Sequence, residues 1–195
     1  MSKRIAEVSR ETKETKITLE LEMDGSGEAN ISSGVGFFDH MLTALTKHSS
    51  FNLRLKCEGD LEVDDHHSVE DCAIALGEAI NKCLMDKKGI KRFASAYAPL
   101  DEALARAVVD ISGRGGFYGD LNFNYQMIGD LSSENVKHFF QTLAENAKIT
   151  LHLDLIRGEN DHHKAEACFK ALAIALKSAV KRGDLLSIPS TKGVL

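Results

Sequence analysis

Alternating apolar and polar residues predict half-buried strands in both halves of the chain. Residues 51–59 read FNLRLKCEG and residues 148–156 read KITLHLDLI, with apolar side chains at every second position. Earlier in each half, residues 16–25 (KITLELEMDG) and 103–113 (ALARAVVDISG) show similar alternation. This pattern places one face of a strand against a core and the other in solvent.

Longer apolar runs predict helices after each of these strands. Residues 72–84 read CAIALGEAINKCL and residues 168–180 read CFKALAIALKSAV, which is too long for strands and rich in helix formers. Both runs are apolar on more than one face, which indicates burial beyond a single sheet surface and favours a partner chain as the second contact. Two further segments, FFDHMLTALTKH (37–48) and NVKHFFQTLAEN (135–146), predict short helices with a histidine near the start.

The order of these elements indicates an internal duplication. Each half reads strand, strand, helix, strand, further extended chain and helix, which predicts an α+β fold built from two β-β-α-β-α-type halves. Helices are expected to pack on one face of each sheet. We predict a first repeat over residues 1–90 and a second over residues 91–195, which together form one domain.

Composition narrows the class of protein. The net charge of −5 argues against a general nucleic-acid surface, and no apolar run approaches the roughly 20 residues that span a membrane. The N-terminal segment is charged where a signal peptide would be apolar, and the four cysteines form no C-x-x-C pair. We therefore expect a cytoplasmic protein with reduced thiols.

One short phrase occurs twice in the chain. Residues 65–70 read DHHSVE and residues 161–166 read DHHKAE, 96 positions later. A single histidine is more often structural or solvated than a ligand, but six of the eight here occupy matching places in the two repeats. The six are His40, His66 and His67 in the first repeat, and His138, His162 and His163 in the second.

The spacing within the phrase predicts two metal ions. On a helix, residues four apart share a face, so His66 can point with Glu70 and His162 with Glu166. Adjacent residues diverge by about 100°, so neighbouring histidines serve separate ions, each ion taking one imidazole from each phrase. Six imidazoles and two carboxylates divide into two sites of three His and one Glu. Such a site leaves positions open for an anionic or nitrogen-donor ligand.

Three alternatives compete with a catalytic centre of this kind. The ions could be purely structural, although structural zinc sites usually use thiolates and are closed. A dinuclear phosphate-ester hydrolase is a second reading, although such sites usually contain bridging aspartates. A non-catalytic scaffold assembled by metal is the third.

The phrases occur in a context that resembles one family. FFDHML, DDHHSVED, DEALARAVVDISGR, DHHKAEA and the tail IPSTKGVL, in this order and spanning nearly the whole chain, closely resemble imidazoleglycerol-phosphate dehydratase of histidine biosynthesis. The resemblance implies a duplicated fold like that of ribosomal protein S5 domain 2, and a homo-oligomer of 24 subunits with active sites between subunits. It also implies two Mn²⁺ per site, whereas the general affinity order of imidazole sites favours later transition metals.

The implied reaction converts D-erythro-imidazole glycerol phosphate to imidazole acetol phosphate and water. The proton to be removed is barely acidic, and two ions that hold the substrate ring as an imidazolate would allow the hydroxyl to leave. Proton transfer needs a carboxylate that is not a ligand. Glu14 matches the family's N-terminal glutamate, although its charged segment alone would suggest a solvated residue; Asp101 is a second, weaker candidate.

The resemblance also implies a phosphate pocket. Arg114 lies in SGRGG, whose glycines let backbone N–H groups approach an anion, and Lys170 follows Glu166 by one helical turn. The tail PSTKG would otherwise be read as frayed, and is expected instead to order over the phosphate, in the same or a neighbouring subunit. The matching residues are Arg92, Arg114, Lys170, Ser190 and Lys192.

Overall fold

The fold is described from a computed structural model that covers residues 3–183, 187–193 and 195. The first half contains β1 (Ile5–Glu11), β2 (Thr15–Glu22), β3 (Ala29–Ser32), α1 (Gly36–Ser49), β4 (Asn52–Gly59) and α2 (His66–Leu84). The second half contains β5 (Phe93–Leu100), β6 (Ala103–Asp110), β7 (Gly116–Tyr118), β8 (Met127–Ile128), β9 (Leu131–Ser132), α3 (Ser133–Ala147), β10 (Thr150–Arg157) and α4 (Asp161–Ala179).

The two halves form sheets of the same topology. The strand order is β1-β2-β4-β3 in the first sheet and β5-β6-β10-β7 in the second. The edge strands β3 and β7 pair in parallel with β4 and β10, while the other pairs are antiparallel. The α+β fold with a duplicated half is therefore confirmed.

The position of the third strand differs from the prediction. Extended chain was expected between the last strand and the last helix of each half, but the additional strands β3 and β7 lie before α1 and α3. They contain only four and three residues and show no alternation of buried and exposed side chains. A strand this short at a sheet edge has too little buried surface to leave a period in the sequence.

Each sheet is covered on one face by the last helix of its own half. The alternating buried side chains of β1 and β2 face α2, and those of β5 and β6 face α4. The second face of each helix packs against the other half of the same chain, α2 on α3 and α4 on α1. The sequence favoured a partner chain as the second contact of α2 and α4. In the structure, the other half of the same chain covers this second face.

An aromatic cluster joins the central helices across the two halves. The ring of Phe139 on α3 lies 5.4 Å from that of Phe38 on α1 and 5.0 Å from that of Phe169 on α4. All three side chains are fully buried. Because these contacts cross the repeats, the halves share one core. The division of the chain at residue 90 stays a prediction.

The structure also bears on the expected reduced thiols and on the expected absence of a membrane-spanning segment. All four cysteines are free and buried. Among the described residues, every helix is too short or too polar to span a bilayer.

Candidate functional site

The phrase residues stand at the first turns of α2 and α4, where local hydrogen bonds fix the backbone. The Asn160 side chain accepts hydrogen bonds from the backbone N–H groups of His162 and His163, at 2.9 and 3.3 Å. The Asp64 carboxylate accepts one from the N–H of His66 at 2.8 Å. These bonds satisfy donors that a helix start leaves unpaired, and so set the direction of the imidazoles.

The aspartate of each phrase points away from the histidines and binds another segment. Asp65 accepts hydrogen bonds from the backbone N–H and the hydroxyl of Ser132, at 2.7 and 2.6 Å, and Ser132 directly precedes α3. Asp161 accepts hydrogen bonds from the N–H groups of Asn124 and Tyr125. Both aspartates are buried, and both hold the segment that leads into α3.

The first metal-ligand cluster contains His66, Glu70 and His138. His138 Nε2 lies 3.0 Å from Glu70 Oε1, and His66 Nε2 lies 3.8 Å from Glu70 Oε2. The two imidazole rings stack with centroids 4.8 Å apart. His66 Nδ1 faces the side-chain oxygen of Asn135 at 3.1 Å. The three donors are half-buried.

The second metal-ligand cluster contains His40, His162 and Glu166 in the equivalent arrangement. The Nε2 atoms of His40 and His162 lie 3.1 and 3.2 Å from Glu166 Oε2. Lys170 Nζ lies 2.6 Å from the other oxygen of Glu166. Burial alone would raise the pKa of Glu166, but the hydrogen bond and charge of Lys170, followed by those of His40, lower it below its usual value. Glu166 is therefore ionised at neutral pH.

The donor atoms of both clusters fit a metal ion. In each cluster one nitrogen from each histidine and one carboxylate oxygen lie within 4.8 Å of one another. Ligands at about 2.0–2.2 Å from a shared ion are separated by roughly 3–4.4 Å, so small side-chain movements suffice for binding. Two imidazoles and one carboxylate also leave coordination positions for further ligands.

The second histidine of each phrase lies outside both clusters. His67 Nε2 is 3.7 Å from a Glu14 oxygen, and His163 Nε2 is 3.8 Å from an Asp101 oxygen. Adjacent histidines therefore diverge as predicted. The expected set of three imidazoles and one carboxylate is not complete within one chain: each cluster takes an imidazole from only one phrase.

Two carboxylates that the sequence reasoning missed contact these second histidines. His67 Nδ1 lies 3.0 and 3.1 Å from the two oxygens of Asp60, and His163 Nδ1 lies 2.7 Å from Glu102 Oε2. These hydrogen bonds raise the pKa of each histidine, and that of His163 lowers the pKa of Glu102 to about 2. Only the position of Glu102 beside Asp101 offered a signal in the sequence.

The expected phosphate ligands fall into separate groups. Lys170 adjoins the second cluster, whereas Arg92 Nη1 donates to the backbone oxygen of Pro189 at 2.7 Å and so lies beside Ser190. Arg114 is in the loop after β6, and Lys192 is exposed in the tail. In the described ranges, no hydrogen bond joins Arg92, Arg114 or the tail to either cluster.

An open cavity borders the first cluster. It has a volume of about 590 Å³, and its lining includes His66, His138, Asn122 and Lys137. The space is large enough for a small phosphorylated substrate.

The chain is similar to known proteins over most of its length. Residues 33–176 match the family model for imidazoleglycerol-phosphate dehydratase. The chain is 56% identical over 192 residues to the imidazoleglycerol-phosphate dehydratase of Phytophthora nicotianae, covering 98% of this chain and 42% of that protein. It is 51% identical to that of Chloroherpeton thalassium, with both chains fully covered.

Solved structures show the same likeness. The crystal structure of imidazoleglycerol-phosphate dehydratase from Staphylococcus aureus matches with a TM-score of 0.83 and 38% identity, over 92% of this chain and 99% of that one. The enzyme from Pyrococcus furiosus matches with a TM-score of 0.83 and 35% identity, over 96% and 100%. The chain therefore belongs to the imidazoleglycerol-phosphate dehydratase family, a family of hydro-lyases.

Proposed function

We propose that this protein converts D-erythro-imidazole glycerol phosphate to imidazole acetol phosphate and water, in histidine biosynthesis, with two Mn²⁺ in each active site. The observation that carries the proposal is the pair of equivalent clusters, each with two imidazoles and one carboxylate, in a chain of this family. The substrate ring has two nitrogens, and two ions on separate clusters match that number.

The ligands divide between the two clusters as two imidazoles and one carboxylate each. His66, Glu70 and His138 would hold one ion, and His40, His162 and Glu166 the other. When bound, the ions supply Lewis acidity toward the two ring nitrogens, which favours the imidazolate form of the substrate. The family resemblance, rather than the donor chemistry, favours manganese over later transition metals.

A neighbouring subunit would complete each cluster. His67 and His163 lie outside both clusters of their own chain, and their side chains are 29% and 28% exposed. If each serves a cluster of another chain, every ion receives three imidazoles and one carboxylate. The two incomplete clusters support the proposal of a homo-oligomer with active sites between subunits. The number of 24 subunits in this proposal comes from the family resemblance.

Proton transfer falls to Glu14 and Asp101. Both side chains are more than half exposed, at 52% and 77%, and both lie in the hairpin turns that face the second histidines. Neither belongs to a metal-ligand cluster, so their carboxylates remain available to a substrate. Glu14 would take the proton from the substrate carbon, and Asp101 would serve as a second acid or base.

Cationic side chains would bind the substrate phosphate. Lys170 holds a position beside the second cluster through its contact with Glu166. Arg92 is fixed by Asp110 at 2.7 Å and by Pro189, which brings it next to Ser190. Arginine binds phosphate through two parallel hydrogen bonds. We propose that Arg92, Ser190 and the remaining candidates, Arg114 and Lys192, reach the phosphate across a subunit boundary.

The competing readings have less support. Dinuclear hydrolases usually share a bridging carboxylate between their ions, and in the described ranges no carboxylate belongs to both clusters.

The reduced state of the four buried thiols agrees with a cytoplasmic enzyme, which is part of this proposal.

One experiment tests the proposal directly. Metal-free protein is incubated with imidazole glycerol phosphate, Mn²⁺ is added, and the absorbance of the ketone product is followed together with free phosphate. Ketone formation that depends on Mn²⁺, without release of phosphate, is the expected result. Release of phosphate would indicate the hydrolase, and Mn²⁺-dependent assembly without either product would indicate the scaffold.

A further inference from the structure

We infer that Asp60 and Glu102 are positioning residues that hold the second histidine of each phrase with its proton on Nδ1 and its Nε2 lone pair free for a metal ion. The inference rests on the proposed function, since it assigns His67 and His163 as ligands. It adds two carboxylates that touch neither ion nor substrate.

The first contact joins His67 to Asp60 at the end of β4. His67 Nδ1 faces both carboxylate oxygens, at 3.0 and 3.1 Å, and the Asp60 side chain is only 21% exposed. Among the described residues, Asp60 has no other side-chain hydrogen bond. Both oxygens of its carboxylate therefore face the same imidazole nitrogen.

The second contact joins His163 to Glu102 in the β5–β6 turn. Glu102 Oε2 lies 2.7 Å from His163 Nδ1, while Oε1 accepts hydrogen bonds from the backbone N–H groups of Glu159 and Asn160. Since Asn160 caps α4, the carboxylate is fixed relative to the helix that bears His163.

The chemistry of these contacts selects one tautomer. A carboxylate can only accept, so a neutral imidazole beside it must carry its proton on the facing nitrogen. The lone pair then lies on Nε2, which is the atom a metal ion needs, and the carboxylate also increases the basicity of the ring. His66 differs, since its Nδ1 faces the amide of Asn135, which can accept or donate.

The two carboxylates come from different parts of the repeat. Asp60 follows β4, whereas Glu102 lies between β5 and β6, which corresponds to the turn between β1 and β2. The duplicated halves therefore reach the same Nδ1–carboxylate contact by separate routes. The two contacts were therefore not inherited from one ancestral ion pair. They are explained if both histidines need a carboxylate at Nδ1 in order to bind a metal ion through Nε2.

The tautomers are measurable without activity. Metal-free protein with ¹⁵N-labelled histidine is examined by solid-state NMR at a pH above the imidazole pKa values, and signals are assigned by their loss in His67→Gln and His163→Gln. In the unsubstituted protein both rings should carry the proton on Nδ1. In Glu102→Gln the amide oxygen stays with the backbone N–H groups of Glu159 and Asn160, so the NH₂ group faces Nδ1 of His163 and the proton should move to Nε2. Asp60→Ala removes the acceptor at Nδ1 of His67, and the preference of that ring for the Nδ1 proton should be lost.

Metal affinity provides the second readout. Loss of an outer carboxylate typically weakens metal binding by roughly 10- to 100-fold, and we expect this for Mn²⁺ titrated into each variant. Glu62→Gln and Glu159→Gln are matched controls, since each removes a carboxylate from a neighbouring loop whose side chain forms no hydrogen bond with the described residues. Both variants should bind Mn²⁺ like the unsubstituted protein.

The outcomes separate the inference from the proposed function. Unchanged tautomers and unchanged Mn²⁺ affinity in both variants would overturn the inference even if the enzyme is active. Nε2-protonated rings in the unsubstituted protein would overturn it as well. If the unsubstituted protein binds no Mn²⁺, the proposed function fails, and the tautomers of His67 and His163 alone decide whether Asp60 and Glu102 position the two rings. Asp60→Ala carries the decision should Glu102→Gln fail to fold, because among the described residues the Asp60 side chain has no second hydrogen-bond partner to lose.

Discussion

Glu70 and His138 belong to different repeats of the chain, and their side chains meet at 3.0 Å. His40 and Glu166 meet in the same way, at 3.1 Å, with the repeats exchanged. Each cluster thus combines the phrase of one repeat with the helix histidine of the other. The contact between α2 and α3, and that between α1 and α4, makes this exchange possible.

Removing one carboxylate should empty one cluster only. Glu70→Gln replaces the anionic ligand of the first cluster with a neutral amide, and its Mn²⁺ affinity should fall by more than tenfold. The second cluster, with Glu166, should keep its ion. Metal analysis after dialysis should therefore find half the metal of the unsubstituted protein, and Glu166→Gln should give the reciprocal result. Loss of all metal in either variant would contradict two separate sites.

Glu14→Gln should separate chemistry from metal binding. Glu14 lies outside both clusters, so metal content and assembly should be unchanged, while kcat should fall by roughly 10²- to 10⁴-fold, as is typical for loss of a general acid or base. Glu11→Gln is the control, because Glu11 is an exposed neighbour whose side chain, among the described residues, forms a single ion pair, with Lys16. Full activity of the Glu14 variant would remove it from the mechanism.

The stability of the metal-free protein should decrease as pH rises above about 6.5. Asp60 raises the pKa of His67, and Glu102 raises that of His163. A raised pKa contributes stability that is present below the unfolded value and is lost as pH rises through the folded value. The free energy of unfolding in urea is measured at several pH values above this point, for the unsubstituted protein and for the double variant Asp60→Asn/Glu102→Gln. The difference between the two proteins separates the contribution of His67 and His163 from that of the other histidines. Equal slopes in the two proteins would argue against it.

The affinity for Mn²⁺ should change in the opposite direction over the same range. Protons compete with the ion for imidazole nitrogens, so binding should strengthen as pH rises and should release protons. Calorimetry in buffers of different ionisation enthalpy measures this release. Affinity that does not depend on pH would contradict imidazole coordination.

Gly77→Ala should disturb the first cluster through packing. A Cβ atom at Gly77 would lie 2.7 Å from Asn146 Cβ and 2.9 Å from the backbone nitrogen of Ala147, so α2 and α3 would have to separate. We expect a loss of roughly 1–3 kcal/mol in the free energy of unfolding, the usual cost of overpacking. Metal affinity should fall at the cluster of His66 and His138 and be retained at the other.

A second glycine provides the control for this variant. Among the described residues, the nearest atom to a Cβ at Gly183 is 4.0 Å away, so Gly183→Ala should be neutral in both measurements. Equal stability of the two variants would show that the α2–α3 approach is not tight.

The substrate should protect the tail from proteolysis. Arg92 already holds Pro189, two residues before the exposed turn that contains Lys192. If the tail covers the phosphate, imidazole glycerol phosphate should slow tryptic cleavage after Lys192, whereas cleavage at other sites should not change. Mass spectrometry of the released peptide measures this, and equal rates with and without substrate would count against the role of the tail.

The helix period was enough to predict the direction of the phrase residues. His66 and Glu70, four residues apart, do share a face, and His67 does point elsewhere. The partner of each pair could not be predicted, because His138 reaches Glu70 only through the packing of α2 on α3. Sequence alignment of the repeats matched His138 with His40, but alignment shows correspondence rather than contact.

The positioning carboxylates left almost no signal in the sequence. Asp60 is one of several acidic residues between β4 and α2, and only the fold brings it within 3.0 Å of His67. The parallel edge strands were missed for a related reason, since their few side chains bury little surface. Contacts that depend on loop geometry, rather than on a period, require the structure.

The exchange of ligands between repeats bears on the origin of the chain. A protein with one repeat would carry a phrase and a helix histidine that cannot meet within it, and two such molecules paired about a twofold axis would form both clusters at once. Joining two copies end to end would then have changed only the connectivity. Divergence of the two halves after such a joining would account for the different loops that supply Asp60 and Glu102.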